Sequence, residues 1–289
     1  MTFRTRFAPS PTGPLHLGHA YSALLAADLA ARYAGAFLLR IEDIDRTRAR
    51  APWEAQIFDD LTWLGLSWPE PVMRQSHRLQ SYQTTLQSLQ RLGLLYPCYC
   101  SRRDIAEAAH APQEGAAPKM GPDGVVYPGT CRDRPKPPIS AVPPALRLDM
   151  GKAIRRIGPN RSALTFTEEG DGTARSVHVA PKELLDQVGD VVLARRDMGT
   201  SYHLSVVVDD AAQGISHVVR GRDLFDATKI HVVLQRVLDL PTPVYHHHRL
   251  IRDEAGKRLA KRDDARALSK YRAEGLTPQD IRRMVGLAD

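Results

Sequence analysis

Two histidines three residues apart, His16 and His19, close the run Arg6-Phe-Ala-Pro-Ser-Pro-Thr-Gly-Pro-Leu-His16-Leu-Gly18-His19, which packs three prolines and two glycines into fourteen residues. At that spacing on a helix the two imidazoles share a face and can both donate to one phosphate chain. Gly18 carries no Cβ, so a flat ring can come close to the backbone there. A helix beginning near Gly18 aims unpaired N–H groups and the positive end of its dipole at whatever lies before it, which suits an anion. A bare H-x-x-H says little; the whole run, with Arg6 and Ser10 in it, is far more specific.

The elements around this turn must hold it in place. Thr2 to Ala8 reads as a short first strand, and Leu17 to Tyr33, rich in Ala and Leu at helical spacing, as a helix. Leu38 to Ile41 is a strand running into the acidic Glu42-Asp43-Ile44-Asp45. Trp53 to Leu64 is a helix with Pro52 near its first turn, and Leu79 to Leu92 is another, ended near Gly93. The order β-α-β-α-α suits an α/β, doubly wound parallel sheet of the Rossmann type, with ligand at the carboxyl ends of its strands. A Gly-, Pro- and Ala-rich stretch from Tyr96 to Pro144 predicts an inserted subdomain, with Ala145 to Leu148 and Ala163 to Phe166 as strands of it. Val188 to Arg195 returns to buried-strand character. Tyr202 to Val208 predicts the strongest strand of the chain, β-branched and closed by Asp209-Asp210. His217 to Arg220 is a brief strand, Asp226 to Leu238 a helix capped by Asp226, and Val244 to Leu250 a further strand. The three histidines His246 to His248 lie consecutively on that strand, so they point to alternating faces and read as surface and substrate-side polarity rather than as a metal site. The expected organisation is a first catalytic half (1–95), an inserted subdomain (96–185), a second catalytic half (186–240) and a C-terminal region (241–289).

Composition bounds the function. The chain has 289 residues, 43% hydrophobic and 25% charged, as in ordinary globular proteins. The formal net charge is +7, which favours a polyanionic partner. The excess is uneven: Arg249 to Lys270 holds eight Lys/Arg against four Asp/Glu, or +4. No secretory signal and no membrane span is expected, and three cysteines make no disulfide framework, so a reducing cytoplasm is the expected compartment.

The opening run resembles the ATP-binding HIGH element of class I aminoacyl-tRNA synthetases, in the form used by the glutamyl and glutaminyl branch. Further segments agree with that family: Arg40-Ile-Glu-Asp-Ile-Asp45, the Tyr202 segment ending in Asp-Asp, and Val219-Arg-Gly-Arg-Asp-Leu224. The resemblance implies ATP-dependent activation of an amino-acid carboxylate, with Mg2+ accompanying the nucleotide. ATP would be held by Pro9, His16, Gly18, His19, Arg258 and Lys261, of which His16, His19 and Lys261 act in catalysis. Glutamate carries two carboxylates and an ammonium, so its site needs at least two cations and an anion. In the family the positions matching Arg6, Phe7, Ala8, Pro9, Ser10, Glu42, Tyr202 and Arg220 line it. An arginine can grip a carboxylate through two parallel hydrogen bonds. Arg6 is the expected partner of the side-chain carboxylate and Glu42 of the ammonium.

Gly256-Lys-Arg-Leu-Ala-Lys-Arg262 stands in the place of the family's KMSKS loop, with Arg258, Ala260 and Arg262 where Lys, Ser and Ser are usual and Lys261 matching the second lysine. In adenylate formation a carboxylate oxygen attacks the α-phosphorus and pyrophosphate leaves. Cationic groups closing on the crowded phosphates stabilise that transition state. Cys98-x-Cys100 followed by Tyr127 and Cys131 resembles the metal knuckle of a glutamyl-tRNA synthetase-like subgroup, which implies one Zn2+. Thiolates are good zinc ligands, and a tetrahedral site needs a fourth donor. Tyr127 fills that place in the resemblance, His110 is a candidate on general grounds, and three free cysteines are the plain alternative.

Only 27 residues follow Arg262 (289 − 262), where the family normally carries an anticodon-binding region. The resemblance is therefore to the truncated glutamyl-Q tRNA(Asp) synthetases. It implies transfer of activated L-glutamate to the queuosine base at the wobble position of tRNA(Asp), by a protein expected to be monomeric and away from membranes. A minimal glutamyl-tRNA synthetase charging the 3′ end of tRNA(Glu), or an inactive RNA-binding paralogue, are the competing expectations.

Overall fold

In the computed structural model, residues 2–110, 118–134, 143–158, 164–170, 172–252 and 266–287 are described. The sheet and helices of the first half are β1 (Arg4–Phe7), α1 (Leu17–Arg32), β2 (Ala36–Ile41), α2 (Ala51–Trp63), β3 (Met73–Arg74) and α3 (Leu79–Arg91). There follow β4 (Leu95–Cys98), α4 (Arg102–His110), β5 (Met120–Gly121), β6 (Gly124–Val125), β7 (Ala145–Leu148), α5 (Met150–Ile157), β8 (Thr165–Glu168) and β9 (Arg175–His178). The helical turn α6 (Pro181–Glu183) runs into a π-type turn at Leu184–Val188, before β10 (Val192–Ala194) and α7 (Tyr202–Ala212). The chain continues through β11 (His217–Gly221), α8 (Ala227–Val237), β12 (Val244–His248), α9 (Leu268–Ala273) and α10 (Pro278–Val285).

Strand β2 lies between β1 and β3, all parallel, and β12 lies between β11 and β8, also parallel, with β9 antiparallel at the edge. The starts of β1 and β11 meet: Ser216 N donates to Arg4 O at 3.0 Å, and Arg4 N donates to Ser216 Oγ at 2.8 Å. The spatial order is therefore β3-β2-β1-β11-β12-β8-β9, and the winding reverses between β1 and β11. That is the switch point at which open α/β sheets bind ligands, beyond the carboxyl ends of the strands. Helix α1 packs its small face (Ala20, Ala23, Ala26) on the sheet, and Thr5 Oγ1 donates to Ala26 O. A separate antiparallel sheet, β4-β7-β10, and the β5-β6 hairpin carry the cysteine region.

Two segments fold differently from what their local composition predicts. Tyr202 to Val208 is a helix, α7, not a strand. Ser201 caps it by accepting from Leu204 N, and Leu204, Val206 and Val207 are all buried. A helix with valines on several faces is stabilised by tertiary burial that overrides their β preference. The strand expected over Ala163 to Phe166 as part of an insert is β8, which pairs with β12 in the large sheet instead. Among the described residues no helix is long and apolar enough to cross a membrane.

Candidate active site

A cleft opens at the switch point. One cavity of about 760 Å³ is lined by residues that include Arg6, His16, Gly18, Glu42, Tyr202 and Arg220; a second, about 1160 Å³, shares Phe7, Ala8, His19, Glu42 and Tyr202 with it and continues past Pro9 and Ser10 to Cys98, Cys100 and Tyr127. The turn after β1 and the start of α1 thus face the same space as the ends of β2 and β11.

His16 is the N-cap of α1. Its Nδ1 accepts from Gly18 N at 3.1 Å, while His19 Nδ1 accepts from His16 N at 3.2 Å, and the two rings lie 3.8 Å apart. Backbone N–H groups only donate, so both neutral rings must carry their proton on Nε2 and can donate it. A Cβ on Gly18 would come within 3.0 Å of the His16 ring, so this position keeps the turn open. Ala267 forms a bridge with His16, Leu268 N donates to Leu15 O, and Ile251 lines the cleft. Arg258 and Lys261 lie outside the described residues.

The charged floor is a buried network. Arg6 grips Asp210 through two nitrogens, Nε at 2.9 Å and Nη2 at 3.3 Å. Arg40, wholly buried, donates to the same Asp210 at 2.7 Å, to Glu42 at 3.1 Å and to Gln213 at 2.9 Å. Burial alone would raise the Asp210 carboxyl, but Arg6 and Arg40 outweigh it and hold it below the usual range. For Glu42 burial wins over the same two arginines, and its carboxyl is raised. Asp209 points the other way and accepts from Gln75, Arg78 and Tyr82. Two carboxylates in the last turn of α7 oppose its dipole, and these cations and donors offset that.

Arg220 is held differently. It is buried, yet among the described residues no carboxylate lies within ion-pair distance of it. Its Nε donates to His247 Nε2 at 3.1 Å and its Nη2 to Thr228 Oγ1 at 2.7 Å and Leu224 O at 3.2 Å. Its Nη1 reaches the Tyr202 hydroxyl at 3.4 Å and His231 Nδ1 at 3.3 Å. Burial, then Arg220 itself, pushes His231 well below its ordinary value, so it stays neutral. His246 to His248 are therefore not mainly surface: His247 and His248 are buried. Strand β12 lies between β11 and β8, where Tyr245 and His247 share a buried face and His248 is buried at the strand's end, while His246 is only partly buried.

The three cysteines and Tyr127 named as candidate metal ligands lie close together. The sulfurs of Cys98, Cys100 and Cys131 lie within 4.8 Å of one another. The Tyr127 hydroxyl is 3.5 Å from Cys98 Sγ and 3.4 Å from Cys100 Sγ, and accepts from Cys131 N at 2.8 Å. Arg196 donates to the carbonyls of Cys98 and Cys100, and the Arg147 guanidinium sits 3.8 Å over the Tyr127 ring. Three sulfurs and an oxygen converging at these spacings suit a tetrahedral zinc. The His110 side chain lies outside the described residues.

A family profile described as "tRNA synthetases class I (E and Q), catalytic domain" matches residues 2–288. The chain belongs to the class I glutamyl- and glutaminyl-tRNA synthetase family. Within it, the chain is 63% identical to the Glutamyl-Q tRNA(Asp) synthetase of Rhodobacter capsulatus, over 98% of this chain and 99% of that protein. It is 41% identical to the protein of the same name from Nocardia farcinica, over 96% of this chain and 81% of that one. Among solved structures of this synthetase family, a glutamate tRNA ligase from Elizabethkingia meningosepticum, in complex with its amino acid, superposes with a TM-score of 0.76 at 25% identity. The chain spans 61% of that structure's length.

The sequence brought Arg6, His16, His19, Glu42, Tyr202 and Arg220 into view, and the fold gathers all six around one cleft. It missed Arg40, Asp210, Glu168, Thr228, His231 and His247 as the buried polar network behind the cleft. Arg40 and Asp210 stood inside quoted segments, and two charges in otherwise apolar elements were the available signal. Glu168 and His247 carried none.

Proposed function

We propose that this protein activates L-glutamate with ATP as the adenylate and transfers the glutamyl group to the queuosine base at the wobble position of tRNA(Asp). The observation that carries the reading is near-complete overlap, at 63% identity, with a relative named for that reaction. The cleft chemistry supports the first step. Arg6, whose Nη1 makes no hydrogen bond among the described residues, takes the side-chain carboxylate of glutamate. Glu42 takes the ammonium. Arg220 with the Tyr202 hydroxyl takes the α-carboxylate, and Phe7, Ala8, Pro9 and Ser10 form the wall. The Nε2–H groups of His16 and His19 donate to the phosphates of ATP at Gly18 and the start of α1. Lys261 and Arg258 add positive charge as pyrophosphate leaves; Mg2+ arrives with the nucleotide.

Cys98, Cys100, Cys131 and Tyr127 hold one zinc ion, which fastens the knuckle. Elemental analysis returning no metal from a stably folded sample would remove it. The protein works as a cytoplasmic monomer, and its basic surface adds phosphate affinity that weakens steeply with salt.

The test supplies labelled glutamate and ATP with tRNA(Asp) bearing or lacking queuosine. Label is expected only on the queuosine-bearing tRNA. Label on tRNA(Glu) instead would assign 3′ charging, and no glutamate-driven pyrophosphate exchange would leave an inactive paralogue.

A further inference from the structure

Behind Arg220 the polar chain continues inward to a carboxylate with no place in the family segments quoted above. His247 Nδ1 lies 2.5 Å from Glu168 Oε2, both residues being 1% exposed. Glu168 Oε1 accepts from His247 N at 3.0 Å and from Gly170 N at 2.9 Å, so both oxygens are fixed. Gly170 allows that approach, since a Cβ there would meet His247 O at 2.2 Å. The Tyr245 ring lies parallel to His247, with the Arg220 guanidinium 5.2 Å from its centroid.

The donors define the protonation. Arg220 Nε–H can only donate, so His247 Nε2 must be unprotonated and the ring proton must sit on Nδ1, facing Glu168. A doubly protonated imidazole would set two donors against each other. Burial lowers His247 more than Glu168 raises it, in keeping with a neutral ring. The carboxylate is thus one imidazole away from the guanidinium, and Coulomb attraction falls with distance.

We propose that Glu168, acting through His247, is the positioning residue that fixes the Arg220 guanidinium for a substrate carboxylate while leaving its charge largely uncancelled. A direct ion pair of the kind Arg6 makes with Asp210 would orient the arginine equally well but offset more of its charge. A ring between the two keeps orientation and separates it from neutralisation. The inference rests on the reading that Arg220 binds glutamate.

Glutamate-driven ATP–pyrophosphate exchange with the full chain tests both levels. Glu168→Gln keeps the size and loses the charge that orients His247. Its KM for glutamate should rise about tenfold or more, the scale of one charge-assisted hydrogen bond, with KM for ATP unchanged. A second pair covers the case in which Glu168→Gln does not fold. His247→Gln retains a donor and an acceptor and should stay close to wild type, whereas His247→Leu fills the space with neither and should lose glutamate affinity about tenfold or more. Equal behaviour of the Gln and Leu variants, or an equal rise in both KM values, would overturn the positioning role. Wild-type protein that exchanges no pyrophosphate with glutamate would instead sink the glutamate reading itself.

Discussion

Two arginines face one cleft and are anchored in opposite ways. Arg6, at the end of β1, is clamped through two nitrogens on Asp210, which Arg40 also holds. Arg220, at the end of β11, is surrounded by an imidazole nitrogen on each side, two hydroxyls and a carbonyl, with the Glu168 carboxylate one ring removed. The difference teaches that a buried cation can be rigid without being neutralised. The first arm ties β1 and β2 to α7 and still leaves Arg6 Nη1 without a hydrogen bond among the described residues; the second holds Arg220 with no carboxylate in ion-pair distance among them.

Breaking the first arm should have the largest effect. Asp210→Ala leaves two buried guanidinium groups without their shared anion, and should cost about 3–5 kcal/mol of folding stability, read by denaturant unfolding. Removing charge from neither arm sharpens the contrast. Lys261→Ala should slow pyrophosphate exchange by about 2–4 kcal/mol of activation free energy with little change in KM for glutamate, the signature of a group acting on the transition state. A near-normal rate would remove Lys261 from the mechanism. Arg220→Lys keeps the charge but not the planar fork. A loss of about 1–3 kcal/mol in kcat/KM for glutamate, with stability nearly intact, is expected, because each hydrogen bond to a charged group is worth about that much.

The smallest effect comes from a carboxylate with no arm at all. Asp60, on α2, is wholly buried, and neither of its oxygens has a hydrogen-bond partner among the described residues. Burial first, then Asp59, pushes its carboxyl up to about 6 from its ordinary 3.8. A folded value above the unfolded one makes ionisation a cost of the native state. That cost is absent below the unfolded value, grows between pH 4 and 6, and is complete above 6. Asp60→Asn should therefore stabilise the protein by about 1–2 kcal/mol at pH 7 and by nothing near pH 3.5. Glu168 has the opposite sign: His247 and two backbone N–H groups outweigh burial and bring its carboxyl down to about 2 from 4.5. Its contribution is present above pH 4.5 and disappears as acid approaches pH 2. Thermal unfolding across pH 2–8 for wild type and Asp60→Asn checks both signs.

What was legible in the chain follows from range. The turn from Arg6 to His19 announced itself because Pro, Gly and cap residues act on their own neighbours, and α1 begins where they direct it. The helices over Ala51–Trp63 and Leu79–Arg91 were legible for the same reason, with Pro near one start and Gly93, at φ +68°, past one end. Helix α7 was misread because three valines speak locally for a strand, while its true determinants, the Ser201 cap and burial against α3 and α8, are partly remote. The Arg220 cage was invisible because it joins residues 79 positions apart, Glu168 and His247, whose types alone mark ordinary polar positions. Charge in a motif can be read; the counter-charge that tunes it cannot, unless the fold brings the two together.

One consequence concerns synthesis. Arg6 and Asp210 are separated by 204 residues. At the usual pace of translation, the emerging amino-terminal half waits about 10–40 s before the aspartate that stabilises its two buried guanidiniums leaves the ribosome. Until then, the nascent β1-β2 layer cannot close on its final interior. The cleft between β1 and β11 is consequently among the last parts of the molecule to reach its final packing.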